Sequence, residues 1–300
     1  MILAITGGTG FVGGALIRHA VAAGHSVRAL ARRPQPERDG VTWIAGALDD
    51  PAALDRLVAG ADAVVHVAGI VNAPDRAGFA TGNVEGTCAI LAAATRAGAI
   101  PFVHVSSLAA REPDLSNYGW SKAVAERLVA ASSLPWSIVR PPGIYGPGDM
   151  DQLDLFRMAR RGLALLPPPG RLSVIHVDDL ARLLLTLATG PATRTIHEAD
   201  DGSGGMTHAD FFAAGIGAAV GRRVLPLPLP RALLSLASRA DRWWRGDRAR
   251  LTADRVAYFC HPDWTIDPGR RPPPAIWTAQ IDTRTGLADT ARWYRGQGLL

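Results

Sequence analysis

The chain has 300 residues, 48% of them hydrophobic and 20% charged, a balance that excludes disorder and fibre and can bury one large core or two modest ones. No stretch approaches the roughly 18 consecutive apolar residues of a membrane-spanning helix, and the apolar residues 1–5 run into glycines instead of a cleavage site, so a cytoplasmic location is expected. Cys88 and Cys260 lie far apart with no partner cluster, which suggests neither a disulfide framework nor a zinc site, and no metal is expected. The formal net charge of +5 rests on 32 basic residues, of which Lys122 is the one lysine. The arginines are scattered and not interleaved with aromatics, so nucleic-acid binding is not expected. A lysine kept among so many arginines points to a need for a compact ammonium.

In chain order, Ile2–Thr6 reads as a buried strand, 11–23 as a helix, and Ser26–Ala31 and Val41–Ala45 as strands. Residues 51–59 read as a helix with Asp50 as N-cap and proline at its first position. A strand at 63–68, a helix at 84–97, a strand at 102–106, a helix at 116–131 and a strand at Trp136–Arg140 follow, and then the glycine- and proline-rich 141–148. This alternation predicts an α/β fold of Rossmann type, a doubly wound parallel sheet with helices on both faces. Beyond it, proline-rich punctuation at 167–170, 225–230 and 271–274 separates short helices. The expected division is a dinucleotide-binding domain over 1–148, with a strand near 172–177 returning to it, and a smaller, irregular substrate-binding part over 149–300. No internal repeat is present.

The run Thr6-Gly7-Gly8-Thr9-Gly10-Phe11-Val12-Gly13 stands between the first strand and the first helix. Glycines 7, 10 and 13 let the chain turn tightly, admit a pyrophosphate near the backbone and pack helix on strand. The helix N-terminus, entered at Phe11 and Val12, offers amides and a positive dipole end to the phosphate. The second strand ends Ala31-Arg32-Arg33, without the carboxylate that binds a free ribose 2′-hydroxyl in NAD sites. Two guanidiniums suit a 2′-phosphate, so NADP (NADPH) is the expected cofactor and NAD the alternative. Read blandly, Arg32 and Arg33 are solvated residues of an arginine-rich chain.

Tyr118 and Lys122 stand four apart on a predicted helix and so share a face. A nearby ammonium is expected to lower the phenol pKa from about 10, letting Tyr118 exchange a proton near neutral pH. The strand at 102–106 runs into Ser106-Ser107 at its carboxyl end, where ligands lie in open α/β sheets. Either hydroxyl could bond a reacting carbonyl oxygen; otherwise the pair caps a turn.

These motifs resemble an extended or atypical short-chain dehydrogenase/reductase of the NAD-dependent epimerase/dehydratase superfamily, over nearly the whole chain. His66-Val67-Ala68-Gly69, Asn83-Val84-Glu85-Gly86-Thr87, the run from Arg140 to Gly148 and Ile175-His176-Val177-Asp178-Asp179-Leu180 extend the match. His261-Pro262-Asp263-Trp264 and the closing Gly286-Leu287 through Trp293-Tyr294 resemble the branch of 3β-hydroxysteroid dehydrogenases and dihydroflavonol reductases. The resemblance implies Tyr118 as general acid/base, Lys122 as the residue orienting the nicotinamide ribose, and Ser107 as holder of the substrate oxygen. It also implies that Val67, Ala68 and Gly69 run beneath the cofactor and that Pro141, Gly143 and Ile144 line the nicotinamide amide. Gly46-Ala47 departs from the family where many members carry an adenine-binding Asp, and the Ser107–Tyr118 gap is shorter than in sugar-nucleotide epimerases.

The expected function is NADP(H)-dependent oxidoreduction of a small-molecule carbonyl or alcohol. An NDP-sugar epimerase or dehydratase with tightly held NAD(P), and a nucleotide-binding scaffold like the complex I-associated relatives, are the alternatives. His176 and Cys260-His261 read as structural, since no second ligand is spaced with them, and Asp178-Asp179 as caps of a helix over 180–188. The apolar, basic segment 229–244, ending Trp243-Trp244, reads first as a substrate cap, then as a homodimer surface or a peripheral membrane contact.

Overall fold

Short apolar runs separated by amphipathic ones produce, in the computed structural model, alternating strands and helices; the structure describes residues 1–98, 100–246, 249 and 251–300. The elements begin with β1 (Ile2–Thr6), α1 (Phe11–Ala22), β2 (Ser26–Ala31), β3 (Val41–Ala45), α2 (Pro51–Val58) and β4 (Ala63–His66). Then come α3 (Arg76–Phe79), a π-helical turn (Ala80–Glu85), α4 (Gly86–Arg96), β5 (Phe102–Val105), a 3₁₀ turn (Leu108–Arg111), α5 (Asn117–Ala131) and β6 (Trp136–Arg140). The chain continues through β7 (Gly143–Tyr145), α6 (Leu153–Arg160), β8 (Leu163–Leu166), β9 (Arg171–Leu172), β10 (Val174–His176), α7 (Val177–Thr189) and β11 (Ile196–Glu198). Last are β12 (Met206–Thr207), a π-helical turn (Ala209–Gly215), α8 (Ile216–Val220), β13 (Leu225–Pro228), α9 (Arg231–Arg245), α10 (Ala253–Phe259), β14 (Asp263–Trp264) and α11 (Thr283–Gly296).

Two compact units result. The first comprises Met1–Arg140, Leu180–Glu198 and Pro272–Trp277. It carries a seven-stranded parallel sheet in the order β11-β6-β5-β4-β1-β2-β3. The strands β4 and β5 are buried along their full length, as continuous apolar runs are when helices cover both faces of a parallel sheet. Leu54, Leu57, Ile90, Phe102 and Ile138 form the core between sheet and helices. Asp50 caps α2 by accepting from Ala53 N–H at 3.0 Å, and proline opens that helix.

The second unit comprises Pro141–Asp179, Ala199–Arg271 and Thr278–Leu300. Its described strands pair as β7 with β10, β8 with β13, and β9 between β12 and β14. Fully buried aromatics fill it: Tyr145 meets Phe211 edge to face at 5.9 Å, and Phe156 meets Tyr294 at 5.1 Å. The Tyr294 hydroxyl donates to the Asp149 carbonyl at 2.5 Å.

Three expectations are corrected here. The boundary falls after Arg140, because Gly143–Tyr145 is a strand paired with Val174–His176. The strand that returns to the main sheet is therefore β11, pairing Ile196 with Ile138, and not residues 172–177. Its three-residue length gave no readable periodicity. Asp179 does not cap a helix at 180; it lies in the first turn of α7, and its carboxylate accepts from Gln280 N–H and Ile281 N–H, both at 3.0 Å.

Candidate active site

The turn between β1 and α1 is built by its glycines. Gly7 has φ +73°, and a Cβ there would lie 2.7 Å from Ala68 N; a Cβ on Gly13 would collide with the Gly7 carbonyl. Gly10 donates its N–H to Gly7 O at 3.0 Å and starts α1 with no side-chain cap, which leaves the first-turn amides of a helix entered by half-buried Phe11 and Val12 directed at an anion. The close approach of Gly7 to Ala68 brings the turn onto Val67–Gly69, the segment after β4. Arg32 and Arg33 stand exposed at the carboxyl end of β2. The bare backbone of this turn and the helix N-terminus behind it fit the diphosphate of a dinucleotide.

A buried hydrogen-bond chain links this turn to α5. The Thr87 hydroxyl donates to Asn83 O at 2.6 Å, so it accepts from His66 Nε2 at 3.0 Å. His66 Nδ1 then accepts from the Thr6 hydroxyl at 2.7 Å, whose oxygen accepts Ala68 N–H at 3.2 Å. This assignment requires a neutral imidazole. Burial, aided by the charge of Lys122, pulls the His66 pKa down to about 3. Asn83 accepts from Ile70 N–H at 2.7 Å, donates to Ile70 O at 3.0 Å and donates to Ser121 Oγ at 2.9 Å. Ser121 Oγ donates to the Tyr118 main-chain carbonyl at 2.8 Å. Every polar atom in the chain finds a partner, which fixes the relative position of turn and helix.

Ser116 caps α5 by accepting from Gly119 N–H at 2.9 Å. Gly119 is required because a Cβ there would stand 2.6 Å from Ala109 O. One turn on, Lys122 is buried, donates from Nζ to Val105 O at 2.7 Å, and sits 3.8 Å from the position of a Cβ on Gly69. The Ser107 hydroxyl faces the Tyr118 phenol closely enough to favour its ionised form, and it also accepts Ala109 N–H at 3.2 Å as cap of the 3₁₀ turn. The ring of Phe79 stands 6.1 Å from that of Tyr118. Tyr118, Lys122 and Ser107 are thus brought together in one unit with Gly69. Pro141, Gly143 and Ile144 belong to the second unit, where Gly143 and Ile144 pair with Val174 and Ile175.

The electrostatics differ from expectation. Burial pushes the Tyr118 pKa upward, against the Ser107 hydrogen bond, and Lys122 does not lower it as the spacing suggested. The ammonium is aimed at Val105 O and loses solvation itself: burial pulls Lys122 down to about 8, with Glu126 opposing.

Sequence reasoning missed the carboxylates behind this site. Ser106 donates to Glu126 Oε1 at 2.5 Å, which resolves the serine pair: Ser106 is held by Glu126 and Ser107 meets the phenol. Arg140 binds Glu126 with both Nε (2.8 Å) and Nη2 (2.6 Å) and reaches Glu198 at 3.3 Å. Arg111 approaches Glu198 from another side at 3.4 Å. Glu126 lies one helical turn beyond Lys122, and that i, i+4 spacing was the readable signal. Nothing local marks Glu198, which arrives on β11 from 58 residues beyond Arg140.

A seven-stranded parallel sheet whose first strand leads through a glycine turn into a helix defines the Rossmann class of dinucleotide-binding proteins. Comparison with known proteins narrows the class. The NAD dependent epimerase/dehydratase family matches residues 3–198, and the chain belongs to that family. It is 37% identical to the ceramide reductase of Caulobacter vibrioides, over 100% of this chain and 96% of the relative. It is 30% identical to the 2-alkyl-3-oxoalkanoate reductase of Stenotrophomonas maltophilia, over 90% and 93%. MoeE5, solved in complex with UDP-glucuronic acid and NAD, shares the fold with a TM-score of 0.76 at 23% identity, over 99% of each chain. The protein is an NAD(P)-dependent oxidoreductase of the short-chain dehydrogenase/reductase type. Among the described residues no helix is long and apolar enough to cross a membrane.

Proposed function

We propose that the protein is an NADPH-dependent ketone reductase acting on a substrate that carries a long alkyl or acyl chain. The observation that carries the reading is the convergence of the Ser107 hydroxyl, which acts on the Tyr118 phenol, with the Lys122 ammonium buried one turn along the same helix. A bound nicotinamide supplies the hydride that becomes the new C–H bond of the alcohol. Tyr118 donates its proton to the carbonyl oxygen, so that hydride and proton together convert C=O to CH–OH. Its raised pKa suits the role, because a phenol kept protonated through neutral pH is ready as an acid. Ser107, freed from the phenol when substrate enters, donates to the same oxygen and stabilises its developing charge. Lys122 would hold the nicotinamide ribose hydroxyls, and Gly7, Gly10 and Gly13 with Phe11 and Val12 would hold the diphosphate. Val67, Ala68 and Gly69 would run along the same cofactor.

The preference for NADP rests on exposed Arg32 and Arg33 and on the absence of an acid at the end of β2. The substrate class rests on the two reductases named above, a ceramide reductase and a 2-alkyl-3-oxoalkanoate reductase. The test is NADPH consumption with 3-oxo amides and 3-oxo acids of increasing chain length. A kcat/KM that rises with chain length is expected. No consumption with any of them, together with turnover of nucleotide sugars, would overturn the reading.

A further inference from the structure

The helix α9 is built inside out. Leu233, Leu236, Ala237, Ala240, Trp243 and Trp244 recur at spacings of three and four, so they form one helical face. In a globular helix that face meets the core. Here Leu236 is 62% exposed, Trp243 89% and Trp244 79%, and both alanines are exposed too. The side turned to the protein carries Ser238, which is buried, and half-buried Leu234 and Asp241. A second exposed apolar strip precedes it: Leu225 and Leu227 on β13 and Leu165 on β8 are all exposed, with Leu227 and Leu165 in register. Leu229 N–H, bonded to Leu166 O at 2.8 Å, ties that ribbon to the start of α9.

We infer that α9 binds the surface of an anionic lipid bilayer, lying in the interface with its Leu and Trp side chains among the acyl chains. Charge selects this occupant. The helix carries Arg231, Arg239, Arg242 and Arg245 against a single acid, Asp241, which pairs with Arg245 at 3.3 Å. The exposed guanidinium of Arg239 borders the apolar face beside Trp243, where it reaches anionic head groups while the indoles sit at the level tryptophans favour. Two copies of this helix face to face would oppose like charges, which disfavours a homodimer seam. With 15 residues, α9 is too short to span a bilayer, which needs about 20, and so it lies on the surface. The inference stands on α9 and the β8–β13 ribbon and is independent of any role for Tyr118.

The test is cosedimentation of the full-length protein with vesicles of phosphatidylcholine alone and of phosphatidylcholine mixed with phosphatidylglycerol. Binding to the mixed vesicles is expected, weakened at least about tenfold by the double change Trp243→Ser, Trp244→Ser and severalfold by Arg239→Gln, which removes the cation at the border of the face. These side chains are solvent-exposed, so both variants are expected to keep the wild-type circular dichroism; if the tryptophan variant does not fold, the arginine variant decides alone. Failure to bind either vesicle, or binding that both variants retain, overturns the inference. So does a wild-type dimer in light scattering that the tryptophan variant loses, with no vesicle binding in either.

Discussion

The two units use their hydrophobic residues differently. In the first, seven strands of three to six residues join one parallel sheet, every neighbour is parallel, and the buried runs of β1, β4 and β5 make the core while their carboxyl ends carry the polar residues of the site. In the second, strands of two to four residues pair in three small ribbons, aromatic side chains supply the packing, and one helix turns its apolar face outward. The difference teaches where chemistry and recognition can be separated. Residues held at strand ends by a rigid sheet can keep one proton-transfer geometry, whereas short ribbons and an exposed helix can change sequence without disturbing it.

The largest effect expected falls on turnover. Tyr118→Phe removes the proposed proton carrier and leaves the ring in place beside Phe79, so kcat is expected to drop by a factor of roughly 10² or more, with the wild-type melting temperature and cofactor affinity retained. Steady-state kinetics beside calorimetry checks it. Near-full activity in the variant would remove Tyr118 from the mechanism.

Stability sharpens the contrast between the units. Leu57 on α2 is completely buried, and Leu57→Ala is expected to cost about 2–5 kcal/mol, the usual range for a core leucine. Leu236→Ser on α9 removes a larger exposed surface from water and is expected to change stability by less than about 1 kcal/mol. Urea denaturation of both proteins measures the difference. Equal losses would mean that α9 is packed against the rest of the chain in solution.

The same contrast explains what could be read in advance. Six of the seven sheet strands were legible as short runs rich in apolar and β-branched residues, the central ones continuous because both faces are covered, and the first helix was legible because glycines announce its start. The last strand, Ile196–Glu198, was not, since three residues carry no period. Tyr118 and Lys122 were visible as a spacing on one helix, and Ser107 as a hydroxyl at a strand end. The His66–Thr87–Asn83 chain and the Arg140–Glu126–Glu198 cluster were hidden because their members come from separate elements, and only the sheet order brings them together. The direction of the Tyr118 shift was misjudged for a related reason: spacing shows that two groups are near, while burial of the phenol decides which form is favoured.

A smaller effect concerns the cofactor. Arg32→Asp replaces a guanidinium at the end of β2 by the carboxylate that suits a free ribose 2′-hydroxyl. The ratio of NADPH to NADH affinity is expected to fall by about tenfold, the equivalent of one charge-assisted hydrogen bond. Titration calorimetry with both nucleotides measures it, and an unchanged ratio would assign the 2′-phosphate elsewhere.

The smallest effect expected is a shift in pH dependence, and it tests whether Glu126 acts through Lys122 or only supports the fold. The proposed mechanism needs Tyr118 protonated and Lys122 charged. The phenol is raised above its ordinary value of 10.0, so it keeps its proton well beyond neutrality. Lys122, lowered to about 8, loses its charge first, and kcat/KM is expected to decline as pH rises through about 8. Glu126 is the group that opposes this lowering. Glu126→Gln takes away its negative charge, so Lys122 deprotonates sooner and the alkaline limb moves to lower pH. Arg140 keeps Glu198 as a partner in that variant, which limits the damage to the fold. Lys122→Arg gives the opposite signature, because a guanidinium stays charged throughout; the rate is lower but the limb near 8 disappears. A Glu126→Gln profile that is reduced in height and unchanged in position would show that the carboxylate braces Arg140 and Ser106 without tuning Lys122.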